Sequence, residues 1–256
     1  MPLLLKNQFY KRILSGLLVL IVLVGLIKMA STYFSIPFYT YPGFGIKIPP
    51  AYNRLGIDVS HHQDKINWQQ VADMKDLGIR VSFVFMKATQ GTYLVDRQFK
   101  RNWSEAKDQN LQRGAYLFFD PRKNGAAQAK YFIKQVKLAR GDFAPVIDFE
   151  ELYGVSPKKA RKEFMSCASV LKKYYNIQPI LYTYVDFYRS NLNAKFEKFP
   201  LWVAHYKSYG KPRIDREWKI WQFSDRGKMN GIKGEVDFNV SDLSQRKLRE
   251  IQVGMD

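Results

Sequence analysis

The stretch Val146-Ile147-Asp148-Phe149-Glu150, entered through Ala144-Pro145, reads as a short β-strand over residues 144–149. It is apolar apart from its two acids, rich in β-branched and aromatic residues, and opened by a proline, which a strand tolerates at its first position. Residues i and i+2 of a strand share a face, so Asp148 and Glu150 project side by side. Two acids on one face of an apolar strand repel each other and lose solvation, which raises at least one pKa. A carboxyl that stays protonated near neutral pH is what a general acid requires. The same residues also fit a plain strand end carrying two solvated acids, so the surrounding pattern has to decide.

On both sides of this strand, strand-like and helix-like segments alternate from residue 55 to about 240. Short apolar strands are expected at 55–59, 81–87, 115–119, 180–183, 201–204, 219–223 and 236–239. Helical spacing marks 67–77, 98–109, 126–138 and 157–175, the last opened by Ser156 as N-cap and Pro157 at the first helical position. Strands joined by helices of roughly ten to fifteen residues predict a parallel sheet with crossover helices, and about eight of them predict a closed barrel. The expected class is α/β: an irregular, TIM-like (β/α) barrel whose later strands have short or missing helices. No glycine-rich phosphate loop follows the first strand.

In a parallel barrel the reactive groups sit at the C-terminal strand ends. Asp58 lies near the end of the first strand, Asp148 and Glu150 at the end of a middle one, and Asp237 in the last. Four acids from three separated strands can converge on one pocket. Aromatics occupy the same ends, including Tyr116, Tyr182, Trp202 and Tyr206. An acid-lined, aromatic-walled groove suits glycoside hydrolysis, where one acid protonates the leaving oxygen and a second negative group stabilises the oxocarbenium-like state. The three histidines, His61, His62 and His205, lack zinc spacing, and no metal or cofactor is expected. Ser60 beside His61 is adjacency, with no G-x-S-x-G around it. Cys167, the one cysteine, allows no internal disulfide and reads as a buried helix residue.

Residues 13–27 are uncharged and apolar, and Lys6, Lys11 and Arg12 precede them. That pattern directs export with the N-terminus inside. Lys28 is poorly placed for a cleavage site, so an uncleaved anchor over 13–34 is expected, following an n-region over 1–12; a cleaved, secreted form is the alternative. A proline- and aromatic-rich tether is expected over 35–53. Five of the 41 basic residues and none of the 23 acids precede residue 51, leaving a net charge of +13 on the remainder. Such charge draws a protein to anionic lipids or wall polymers. Nothing in the pattern matches a nucleic-acid-binding motif, and no nucleic-acid partner is expected.

The ordered motifs Gly56-Ile57-Asp58-Val59-Ser60, Lys87-Ala88-Thr89-Gln90-Gly91, Gly114-Ala115-Tyr116, Val146 to Glu150, Ile180-Leu181-Tyr182, Leu201-Trp202-Val203-Ala204, Ile220-Trp221-Gln222 and Val236-Asp237-Phe238-Asn239 resemble those of family 25 glycoside hydrolases, the Chalaropsis-type lysozymes. The resemblance runs over about residues 55–243. It implies a muramidase that cuts the β-1,4 bond between N-acetylmuramic acid and N-acetylglucosamine in peptidoglycan. Carried over by position, it makes Glu150 the general acid, Asp148 its partner, and Asp58 and Asp237 the other acids of the groove. Tyr116, Tyr182, Trp202, Tyr206 and Gln222 become substrate-binding candidates. Gln90 stands where the family usually has glutamate, and Leu117 where it often has histidine. The chain is then expected to be a monomeric, single-pass bacterial membrane protein, with its barrel over 54–245 in the periplasm or outside the cell and a tail over 246–256. A non-catalytic peptidoglycan-binding protein on the same fold is the competing reading.

Overall fold

The computed structural model describes residues 2–34, 39–49, 52, 54–192, 194–206, 208, 210–241 and 244–255. The chain divides into two compact units, Met1–Phe38 and Tyr39–Asp256. The first is one helix, α1 (Pro2–Phe34). Its apolar run is bare, from 45% exposed at Ile13 to 74% at Leu14. Among the described residues no helix is long and apolar enough to cross a membrane.

The second unit contains, in order, β1 (Tyr39–Tyr41), β2 (Ile46–Ile48), β3 (Arg54–Val59), α2 (Trp68–Asp73), β4 (Val81–Gln90), β5 (Leu94–Val95), α3 (Phe99–Asp108), β6 (Gln112–Phe118), α4 (Gly125–Gln135), β7 (Val146–Asp148), α5 (Pro157–Tyr175), β8 (Ile180–Tyr184), α6 (Val185–Asn191), β9 (Leu201–Ala204), β10 (Ile220–Gly227), β11 (Val236–Ser241) and α7 (Gln245–Arg249). Eight strands close into a barrel in the order β3-β11-β10-β9-β8-β7-β6-β4, with β4 returning to β3. Seven run parallel. β11 is antiparallel to both neighbours, because only residues 228–235 separate it from β10, too few for a parallel crossover.

The period-two pattern sorts the side chains. Phe83, Phe85, Val146, Ile180, Trp202 and Ile220 fill the barrel, while Val84, Met86, Ile147, Leu181 and Val203 face the surrounding layer. The two phenylalanines need glycine opposite them. A Cβ on Gly56 would stand 2.1 Å from the Phe83 ring, and one on Gly114 2.2 Å from the Phe85 ring. Each buried ring contributes about 1.5–3 kcal/mol of transfer free energy, which an alanine at either glycine would disrupt. Side-chain caps start the helices: Asn67 accepts from the Gln70 amide, Asn124 from Ala127 and Ser156 from Lys159, each worth about 1 kcal/mol.

Three expectations need correction. The helix expected over 67–77 ends at Asp73. Asp76 is instead held in a bridge to Ile79 and accepts the amides of Gly43 and Phe44 at 2.7 and 3.2 Å, which leaves Leu77 at φ +48° and 71% exposed. Residues 39–48, expected as tether, form the β1–β2 hairpin. Phe44 is fully buried, 5.4 Å from the ring of Phe238, and the Lys228 amide donates to its carbonyl. The hairpin covers strands whose connection carries no helix. The expected tail also packs: Leu248 and Ile251 join the barrel-filling cluster, and the Ala144 amide donates to the Ile251 carbonyl. The remaining tether positions, 35–38, 50, 51 and 53, lie outside the described residues.

Candidate active site

The nine residues selected from sequence line one cleft of about 270 Å³. β3 supplies Asp58, β6 Tyr116, β8 Tyr182, β9 Trp202 and β10 Gln222. Asp148 ends β7, and Glu150 follows two residues later. Asp237 is the second residue of β11, not a residue near its end. The reversed strand brings its start to the barrel end where the parallel strands finish, directly opposite Asp58 in register. A second hollow of about 440 Å³ shares Glu150, Tyr182 and Tyr206 and extends the cleft past Tyr184 and His205. A third, of about 490 Å³, lies among Trp68, Arg101 and Glu105 and contains none of the nine. Chemistry, not volume, selects the site.

Burial governs the acids. It raises Glu150 to about 7, helped by the charges of Glu151 and Asp58 and opposed by Lys87. Asp148 is held well above the usual carboxylate range by burial and by Glu150, again against Lys87. Burial lifts Asp58 to about 6 despite hydrogen bonds from Asn239, Gln222 and Asp237, and lifts Asp237 to about 9 with the Asp58 charge beside it. Carboxyls packed this closely cannot all ionise. The cluster therefore retains protons at neutral pH, and Glu150 sits where a carboxyl can both give and take one. The buried Oδ1 of Asp148 has no hydrogen-bond partner among the described residues. An orphaned acceptor of this kind costs about 1–3 kcal/mol unless a bound group donates to it.

Amides and phenols order the floor. Gln222 Nε2 and Asn239 Nδ2 both donate to Asp58 Oδ2, at 2.8 and 2.7 Å. Tyr182 and Tyr206 hydroxyls each donate to Gln222 Oε1 at 2.8 Å, and the Trp202 indole donates to Asn239 Oδ1 at 2.7 Å. Trp202 is 2% exposed and stacks on Phe85 with ring centroids 4.4 Å apart. It is part of the floor rather than an open platform for a sugar. Tyr206, 44% exposed, presents the accessible aromatic surface.

Sequence reasoning passed over Lys87 and Asn239 as site residues, along with His62 and Phe118 of the cleft lining. Lys87 Nζ lies 4.5 Å from the centre of the Phe118 ring and donates to Gln90 Oε1 at 2.9 Å. Burial lowers its pKa, and the neighbouring acids oppose that shift. Both residues carried a signal. Lys87 is a lone charge on the strand face of Phe83 and Phe85, and Asn239 is two residues from Asp237, hence on its face. Leu117 points outward into the fully buried layer, so the histidine-to-leucine departure lies off the cleft.

A closed β/α barrel with carboxylates gathered at its strand ends is an arrangement that suits a glycosidase of the carboxylate type. The model for "Glycosyl hydrolases family 25" matches residues 57–232, and the chain belongs to that family. It is 41% identical over 223 residues to the "Uncharacterized protein YegX" of Escherichia coli (strain K12), covering 86% of this chain and 82% of that one. It is 32% identical to "Lysozyme M1" of Streptomyces globisporus over 75% of this chain and 69% of the relative. The structure of a family 25 glycosyl hydrolase from Bacillus anthracis superposes with a TM-score of 0.70 at 28% identity, over 77% of this chain and 93% of that one. The protein is a glycosidase, and the family places it among peptidoglycan hydrolases.

Proposed function

We propose that the enzyme is an N-acetylmuramidase that cleaves the β-1,4 bond between N-acetylmuramic acid and N-acetylglucosamine with help from the substrate's own acetamido group. The observation that carries this reading is the pairing of a protonated Glu150 with an orphaned Asp148 Oδ1 in one cleft. Asp148 accepts the acetamido N–H and turns the acetamido oxygen toward the anomeric carbon. That oxygen attacks as Glu150 passes its proton to the departing glycosidic oxygen, giving an oxazolinium ion and a free Glu150 carboxylate. The carboxylate then takes a proton from water, which adds to the anomeric carbon and reopens the ring with retention. Asp58 contributes negative charge beside the developing cation. The lysozyme relative supports peptidoglycan as substrate.

Purified peptidoglycan treated with the enzyme should gain N-acetylmuramic acid reducing ends, released first as the β-anomer. New N-acetylglucosamine reducing ends would overturn the bond assignment. Binding to the wall without any cleavage would favour the non-catalytic reading.

We further propose that α1 is a single-pass membrane anchor, with the monomeric barrel in the periplasm or outside the cell. Its backbone runs 33 residues, about 50 Å at 1.5 Å per residue, and its bare apolar run follows Lys6, Lys11 and Arg12. Resistance of the protein to alkaline carbonate extraction from membranes tests the anchor; recovery of a shortened form in the medium would support the secreted alternative.

A further inference from the structure

Asp58 and Asp237 are cross-strand partners on β3 and β11, and each bears on the other's protonation. Symmetric carboxyls would give no reason for a shared proton to prefer either. The surroundings break that symmetry. The Trp202 indole nitrogen is a donor only, so the atom of Asn239 it meets at 2.7 Å must be the amide oxygen. The NH₂ end of Asn239 is thereby turned onto Asp58 Oδ2. Gln222 places its oxygen on two phenols and its nitrogen on the same Asp58 atom; phenols accept as well as donate, so the fixed member is Asn239. It cannot rotate to accept a proton from Asp58 without abandoning the indole.

We infer that Asn239 is a positioning residue: with Gln222 it fixes Asp58 as the ionised, accepting member of the Asp58–Asp237 pair, so that the proton the two share resides on Asp237. Two N–H groups on one carboxylate make charge-assisted bonds that strongly favour the anion. Among the described residues Asp237 has no such pair of donors, and it holds the proton.

The charge fixed in this way acts on the rest of the cleft. Facing Asp58 are Asp237 from β11, Tyr116 from β6, Asp148 from β7 with Glu150 beyond it, Tyr182 from β8 and Tyr206 after β9. Lys87 from β4 and His62 complete the charged or titratable lining. The anionic Asp58 raises both Asp148 and Glu150. The chain Trp202–Asn239–Asp58 therefore helps to keep the general acid protonated.

The test measures the pH dependence of kcat/KM for the full chain in detergent, using soluble peptidoglycan fragments, with Asn239→Leu and Trp202→Phe beside the wild type. This arm rests on the muramidase reading. The acidic limb reports Asp58 ionisation and the alkaline limb Glu150 protonation. Losing one amide donor should move the acidic limb up by about one pH unit and the alkaline limb down, narrowing the bell. Trp202→Phe keeps the ring on Phe85 but frees the Asn239 amide, so it should shift the limbs the same way by less; it decides alone if Asn239→Leu does not fold. Unmoved limbs in a folded variant, with only the amplitude reduced, would make Asn239 merely structural and overturn the inference. A second readout is independent of hydrolysis. Carbon-13 NMR of the aspartate carboxyls should show Asp58 titrating below Asp237, with Asn239→Leu raising Asp58. The reverse order in the wild type would overturn the inference even if the enzyme cuts peptidoglycan as proposed, and the expected order would uphold it even if it does not.

Discussion

Lys87 donates to Gln90 at 2.9 Å, so the ammonium closest to the acid cluster is met by a neutral amide where the family pattern has a carboxylate. Its charge is left to act on Asp148 and Glu150, both of which it pulls down. Gln90→Glu should neutralise part of that charge. The alkaline limb of kcat/KM should then move to higher pH by a few tenths of a unit, because an opposing cation is screened from Glu150. A limb that stays put, or moves to lower pH, would show that Lys87 does not set the protonation of the acid.

Glu150→Gln preserves shape and removes the transferable proton. Hydrolysis should fall by a factor on the order of 10² or more, measured as release of reducing ends from peptidoglycan. Near-wild-type turnover by the folded variant would remove Glu150 as the acid.

The same substitution has a stability signature. Glu150 is raised from 4.5 to about 7. The folded protein therefore keeps this proton where the unfolded chain has lost it, and stability falls as pH climbs from about 4.5 through about 7. The variant lacks that loss. Its Tm should match the wild type near pH 4, to within any constant offset, and gain on it steadily toward pH 8. A Tm difference independent of pH would contradict the burial-driven shift.

Phe44→Ala tests the hairpin. Removing a fully buried ring that lies against Phe238 should cost about 3–5 kcal/mol, read from denaturant unfolding. If the hairpin were a loose linker, the loss would be within about 0.5 kcal/mol, as for a surface substitution.

Charge sets a fifth expectation, beyond the cleft. α4 and α5 pack together and expose Lys130, Lys134, Lys159, Lys162, Lys172 and Lys173 on the barrel's outer layer. Sedimentation with insoluble peptidoglycan should weaken as salt shortens the Debye length from about 10 Å at 0.1 M to about 3 Å at 1 M. Cleavage of short neutral fragments should change far less. Wall binding indifferent to salt would assign these lysines to another surface, such as lipid headgroups.

The barrel and its acids were legible because both follow from local periodicity. Strand alternation placed Asp148 and Glu150 on one face without knowledge of the neighbours, although β7 itself is only three residues long. Asn239 and Lys87 were harder to see. A single polar residue in an apolar strand acquires meaning only from what stands opposite, and register is a tertiary property. The hairpin was hidden for a related reason. Tyr41 reads as a linker aromatic, and its burial, like that of Phe44, depends on the uncovered outer face of β10 and β11, which exists only because the last strand reverses. Leu77 failed as a helix residue because Asp76 is claimed by backbone groups more than thirty positions away.

The reversal of β11 also divides the cleft by mobility. Asp58 and Asp237 are the terminal pair of an antiparallel ladder that runs from Arg54 to Asp58 and from Asp237 to Ser241, and Asp58 is also paired with Phe85 of β4. They can separate only if backbone hydrogen bonds break, which happens on the timescale of cooperative opening. Glu150 stands past the end of its strand, where small backbone adjustments need no ladder to open. One wall of the cleft is thus tied into paired backbone on both sides, and the other is not. The charge pair stays where the strands put it, and the freedom to adjust belongs to the side of the proton donor.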